Sequence, residues 1–136
     1  EVTYWGIFRL MIYGIGTDVV EVSRIRLVLK KYGLKLAEKI LTNNELLAYK
    51  TAKSKESFLA KRFAAKEAFA KAFGTGLRGS VNFKSIEVVH DSLGKPLLKY
   101  YNKLHILVEE KNIYHCHLSI SDEKNIAVAF VILEKQ

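Results

Sequence analysis

The run Phe58–Gly79, FLAKRFAAKEAFAKAFGTGLRG, concentrates the side chains in this chain that could handle phosphate or a metal ion. Arg62 and Lys66 stand four residues apart, as do Glu67 and Lys71, so on a helix each pair shares a face. On a helical wheel both Arg62 and Lys66 fall inside the arc bounded by Phe58, Leu59, Phe69 and Phe73. Like charges so spaced repel by about 0.2–0.5 kcal/mol. Two readings follow: the stems snorkel with their heads in water, or two cations sit at a cleft edge to receive an anion. Glu67 and Lys71 point away from the phenylalanines and could be a surface salt bridge worth about 0.3–0.5 kcal/mol.

A second carboxylate stands at Asp18, after MIYGIGT. It could cap the helix that follows, or be a carboxylate at a strand end, where metal and phosphate chemistry is often placed. His115, Cys116 and His117 invite a zinc reading, but in a strand both histidines share a face and Cys116 points the other way. No further ligand stands at zinc-like spacing, so zinc is not expected. A His117 that helps hold a phosphate is the functional alternative to a merely packed or solvated one.

These side chains need elements to hold them. The central run has five alanines from Ala60 to Ala70, no proline, and no β-branched residue from Phe58 to Phe73, which predicts a helix. Gly74-Thr75-Gly76 is its expected stop. Met11–Asp18 reads as a strand whose Gly14 and Gly16 leave one face bare for a close neighbour. The third glycine of a dinucleotide fingerprint is absent. A helix is predicted from about Val20 to Tyr32, with Ile25, Val28 and Leu29 inward and Arg24, Arg26, Lys30 and Lys31 outward. Leu34–Leu41 is a short amphipathic piece, and Thr42-Asn43-Asn44-Glu45 has capping-box spacing for a helix through Tyr49. Lys50–Glu56 reads as a polar connector into the central helix.

Beyond Gly79 the pattern predicts strands at 81–83 and 86–90, a turn over Asp91–Pro96, and a helix from Lys99 to Lys111. Tyr114–Ser121 and Asn125–Leu133 then form a hairpin about Asp122-Glu123-Lys124. The order β-α-α-α-β-β-α-β-β predicts an α+β domain, an antiparallel sheet packed against helices.

Composition bounds the function. With 136 residues, 49% hydrophobic and 26% charged, this is one ordinary globular domain. No apolar run approaches the length of a membrane span. The single cysteine, Cys116, excludes an intrachain disulfide and suits a reducing compartment. The net charge of +8 calls for an anionic partner: nucleic acid, a phosphate-rich small molecule or an acidic protein. Lysine is spread through nearly every segment, so charge alone does not choose. A nucleic-acid module, however, has no need for Asp18 and Glu67 together. Residues 1–10, EVTYWGIFRL, read as vector-derived or as the remnant of a targeted precursor, leaving 11–136 as the domain.

Four motifs occur together: G-I-G-T-D at 14–18, F-x-x-K-E-A-x-x-K at 63–71 followed by G-T-G, D-x-x-G-K-P at 91–96, and H-x-S-I-S at 117–121. With them, the chain from Met11 to Leu133 resembles the short, bacterial-type holo-acyl-carrier-protein synthases of the 4′-phosphopantetheinyl transferase superfamily. That resemblance implies transfer of phosphopantetheine from coenzyme A to a serine of acyl carrier protein, with magnesium, in support of fatty acid biosynthesis. It assigns Asp18 and Glu67 to the metal, and Asp18, Glu67 and Lys71 to catalysis. It also implies coenzyme A contacts from Arg62, Lys66, Lys71, Gly74, Thr75, Gly76, Lys95, Pro96, His117 and Ser119. Arg24, with Val28, Lys31 and Lys39, is the implied docking surface for the acidic carrier. A homotrimer with active sites between subunits is implied, with neither nucleic acid nor membrane as partner. The compartment would be the cytoplasm, or a plastid-type lumen if residues 1–10 are a precursor remnant. One departure is Asp122, where many relatives carry a second histidine.

Overall fold

The structure is a computed structural model that describes residues 10–136; the expectation for residues 1–9 lies outside them. The alanine-rich run becomes the 19-residue helix α4 (Lys55–Phe73), capped by the Ser54 side chain and ended by Gly74 in the left-handed region at φ 99°. Before it come β1 (Met11–Glu21), α1 (Val22–Tyr32), α2 (Leu34–Ile40) and α3 (Asn43–Lys50). After it come β2 (Ile86–His90), β3 (Pro96–Tyr100), α5 (Asn102–Glu110), β4 (Ile113–Glu123) and β5 (Ile126–Lys135). The expected α+β class holds, with every strand pair antiparallel: a three-stranded sheet β1-β5-β4 and a two-stranded sheet β2-β3. No helix among the described residues is long and apolar enough to cross a membrane.

Small residues let α4 lie almost on the backbone of β1. A Cβ on Gly14 would come within 1.9 Å of the Ala72 carbonyl oxygen, and one on Gly16 within 2.0 Å of that of Ala68. The bare strand face foreseen from the glycine pair therefore receives the backbone of α4. On β5 the inward residues Ala127, Ala129, Val131 and Leu133 are fully buried. The other face of the sheet stays apolar and open: Ile15 and Val19 of β1 are 60% and 61% exposed, Ile126 and Phe130 of β5 42% and 41%.

Several sequence expectations need correction. The 81–83 segment is not a strand; side-chain hydrogen bonds of Asn82 and Ser85 fold it into tight turns. The partner of β2 is β3, whose ends overlap the turn expected to Pro96 and the helix expected from Lys99. Its residues alternate in burial, with Leu98 and Tyr100 packed against the core, so two-residue periodicity wins over the helical spacing of Tyr100 and Leu104. The helix begins only at Asn102. The short amphipathic piece is a helix in its own right, α2, so three helices rather than two precede the central one. The hairpin turn is Lys124-Asn125, since Glu123 pairs with Ile126. Val28 is 38% exposed rather than inward. Asp18 does not cap α1, because β1 runs on to Glu21, which occupies the N-cap.

Candidate active site

Asp18 lies on the face of β1 that receives α4, its side chain 13% exposed. Its Oδ1 is 3.1 Å from the Lys71 ammonium, which also donates to the Thr17 carbonyl at 3.0 Å. The other oxygen, Oδ2, is buried without a hydrogen-bond partner among the described residues. Lys71 therefore reaches across to the strand rather than back along its own helix to Glu67. Glu67 is half-buried, and burial first and Asp18 second push its carboxyl above the usual carboxylate range, with Lys71 acting in the opposite direction. Lys71 thus pairs with Asp18 alone, while the Glu67 carboxyl lies within electrostatic range of both and Asp18 Oδ2 has no partner among the described residues.

This donor set fits a hard divalent cation. Magnesium prefers oxygen ligands and takes one or two carboxylates, leaving its other positions to water and substrate phosphate. Among the described residues no group of three or more His, Cys, Asp or Glu side chains comes together, so a cation here would draw its remaining ligands from water and substrate.

Arg62 and Lys66 take different places: Arg62 lines a pocket, whereas Lys66 fits neither reading of the wheel. Lys66 is fully buried, and its ammonium donates to the Ile40 carbonyl at 2.7 Å, Glu45 Oε1 at 2.6 Å and the Phe83 carbonyl at 2.8 Å. All three of its N–H groups are used, so Lys66 neither snorkels nor sits ready for a phosphate. The expectation that it contacts coenzyme A is corrected on this ground: α4 is enclosed around most of its circumference, which a wheel drawn from a single apolar arc does not reveal. Arg62 is 10% exposed at its side chain and lies 3.9 Å over the Phe58 ring. It lines a pocket of about 180 Å³ with Lys61, His90, Gly94, Pro96 and Asp122. Burial, Arg62 and Lys61 hold the His90 imidazole below its ordinary range, as expected where cations crowd and a counter-ion is wanted.

The remaining predicted residues fall elsewhere. Lys95, His117 and Ser119 line a groove of about 230 Å³ with Phe130 and Ile132, and His117 Nε2 is 2.6 Å from Glu134. Thr17 pairs with Phe130 and Phe130 with Ser119, whereas Asp18 pairs with Ala129. Since alternate residues of a strand point to opposite faces, His117 and Ser119 lie on the outer face while Asp18 lies on the inner one. Gly74 and Gly76 both have positive φ and carry the exposed Thr75 past the end of α4. Arg24 and Val28 line a groove of about 350 Å³ that reaches Asp18 and Phe63. Lys31 continues their stripe on α1, and exposed Lys39 stands on α2, which packs against α1. Sequence reasoning placed Phe58 on the arc of Arg62 but missed Lys61 and His90 as its surroundings, and read Glu45 only as a cap. The sole sequence signal for Glu45 was its capping-box spacing.

The sequence model of the 4′-phosphopantetheinyl transferase superfamily matches residues 14–131. The holo-[acyl-carrier-protein] synthase of Nitrosospira multiformis is 58% identical over 125 residues, 92% of this chain and 100% of that one. The crystal structure of holo-[acyl-carrier-protein] synthase from Neisseria meningitidis matches with a TM-score of 0.89 at 52% identity, covering 92% of this chain and 100% of its own. That from Bacillus anthracis, in complex with CoA (3′,5′-ADP), matches at 0.78 and 43% identity, covering 93% and 99%. The chain belongs to the 4′-phosphopantetheinyl transferase superfamily and, within it, to the holo-[acyl-carrier-protein] synthases, and is an enzyme of that class.

Proposed function

We propose that this enzyme transfers 4′-phosphopantetheine from coenzyme A to a serine of an acidic acyl carrier protein, with Asp18 and Glu67 holding magnesium. The reading rests above all on the under-neutralised pair of Asp18 and Glu67, with its orphaned Asp18 Oδ2. The serine oxygen bonds to the phosphorus that carries pantetheine, and the bond from that phosphorus to the bridging oxygen breaks. Adenosine 3′,5′-bisphosphate leaves with the electron pair, and the serine proton passes to a carboxylate or to water. Magnesium supplies neutralisation of the pyrophosphate charge. Lys71, beside Asp18 in the free chain, offsets charge that develops on the bridging oxygen. Arg62 and Pro96, with Gly74, Thr75, Gly76, Lys95, His117 and Ser119, bind the nucleotide end.

The outer-face position of His117 and Ser119 supports a site completed between subunits. A homotrimer joined through the apolar outer face of Ile15, Val19, Ile126 and Phe130 would bring one subunit's outer face to another's carboxylates. An exposed apolar patch of this kind marks an interaction surface. The basic stripe of Arg24, Lys31 and Lys39, with Val28, receives the carrier by opposite charge, which speeds encounter and makes it salt-sensitive. Loading the carrier supports fatty acid biosynthesis.

The test is intact-mass measurement of an apo acyl carrier protein after incubation with this enzyme, coenzyme A and magnesium. A gain of one phosphopantetheine, lost with EDTA, is expected. Absence of coenzyme A binding by the folded protein would overturn the reading in favour of a basic binding module.

A further inference from the structure

Glu45 has more bonds than a cap requires. Its Oε1 accepts from the Thr42 N–H at 2.9 Å, closing the capping box of α3, and also from the Lys66 ammonium at 2.6 Å. Its Oε2 accepts from the Val88 N–H of β2 at 2.8 Å and lies 4.0 Å from Arg62 Nε. The side chain is 1% exposed. One carboxylate is thus fixed by α3, α4 and β2 together, and among the described residues Arg62 is the one cation within 4.0 Å that it does not hydrogen-bond. Arg62 Nε is itself buried and without a partner. The guanidinium lies 3.9 Å over the Phe58 ring, and its Nε, 4.0 Å from Glu45 Oε2, makes no direct hydrogen bond among the described residues.

We infer that Glu45 is a positioning residue for the nucleotide, keeping the Arg62 guanidinium folded over Phe58 and aimed into the pocket formed with Lys61, His90 and Pro96. Lys66 and Arg62 are one helical turn apart on α4, where like charges repel, and low dielectric strengthens that repulsion. Burial drives the guanidinium towards water even without that repulsion, and the Glu45 carboxylate beside it opposes both. Burial disfavours the charged guanidinium and Glu45 is the group that favours it. Holding a charged group in place before the ligand arrives spares the ordering cost of binding. The inference rests on the reading of Arg62 as a nucleotide contact.

The experiment measures the dissociation constant for adenosine 3′,5′-bisphosphate by calorimetry, with thermal unfolding alongside, in the full-length chain. Glu45→Gln keeps a cap acceptor but leaves the Lys66 ammonium unpaired and is expected to lower Tm. The paired variant Glu45→Gln with Lys66→Met removes one charge of each sign, so the net charge around Arg62 is unchanged and affinity reports position. The paired variant is expected to stay folded with a lowered Tm, because the Val88 N–H and the Ile40 and Phe83 carbonyls lose partners, and to bind nucleotide about tenfold more weakly well below that Tm. Adding Arg62→Gln to it should cost less than Arg62→Gln costs in the wild type, the total loss matching that of Arg62→Gln alone, because Glu45 acts through Arg62. Affinity for Mn²⁺ at Asp18 and Glu67 should stay at the wild-type value. A folded paired variant with wild-type nucleotide affinity, or losses that add, would overturn the positioning role. Arg62→Gln binding nucleotide as well as wild type would instead overturn the assignment of Arg62 itself.

Discussion

Replacing Gly16 by alanine tests how closely the chemistry depends on the contact between β1 and α4. The new Cβ would lie 2.0 Å from the Ala68 carbonyl oxygen and 2.7 Å from the Ala72 nitrogen. Carbon and oxygen rest about 3.3–3.6 Å apart in a close contact, so strand and helix must separate by about 1.3 Å. Both offending atoms belong to helical backbone and cannot rotate away. Overpacking costs about 1–3 kcal/mol, and rigid neighbours put this case near 3 kcal/mol, a Tm loss of about 10 °C for a domain of this size. Asp18 lies two residues from Gly16 on the same strand face, and Glu67 directly precedes Ala68, so the separation is transmitted to the two carboxylates. A misplacement of about 1 Å lowers rate about 100-fold. Scanning calorimetry, Mn²⁺ titration and the carrier mass assay together read all three effects. An alanine variant with unchanged Tm and unchanged Mn²⁺ affinity would refute the argument that the glycines exist for this approach.

Glu67→Gln should abolish transfer while keeping the fold. A carboxyl raised in the folded state contributes stability that is full below its unfolded pKa and lost as pH rises through the folded one. Glutamine imitates the protonated form, so metal-free Glu67→Gln should melt above wild type at neutral pH and match it in acid, by calorimetry across pH. Metal binding requires the ionised form, so Mn²⁺ affinity of the wild type should fall as pH drops through that raised pKa. Arg24→Glu should raise the KM for carrier protein several-fold and steepen with falling salt, leaving coenzyme A binding alone; an unchanged carrier KM would defeat the docking role. Phe130→Glu, at an exposed outer-face position, should give monomers by sedimentation velocity and lose transfer. An assembly that survives this change would place the interface elsewhere.

What the sequence by itself determined is local. Alanine content and the glycine stop defined α4, the Thr42–Glu45 spacing defined the start of α3, and the Gly14/Gly16 pair signalled a close backbone neighbour. The residue types for phosphate and metal chemistry were also legible, because carboxylates and cations at four-residue spacing stand out on any helix. Tertiary structure decided which of those charges meet. Lys71 turned from Glu67 to Asp18, and Lys66 was drawn inside by Glu45 and two carbonyls. The strand at 96–100 was lost to a helical reading because its packing partner β2 is what reveals its two-residue period. Helical periodicity tells which side of α4 is apolar but not that other elements cover most of the rest. Strand pairing alone put Asp18 and His117 on opposite faces of one sheet, since the face a residue takes depends on the register of the strands.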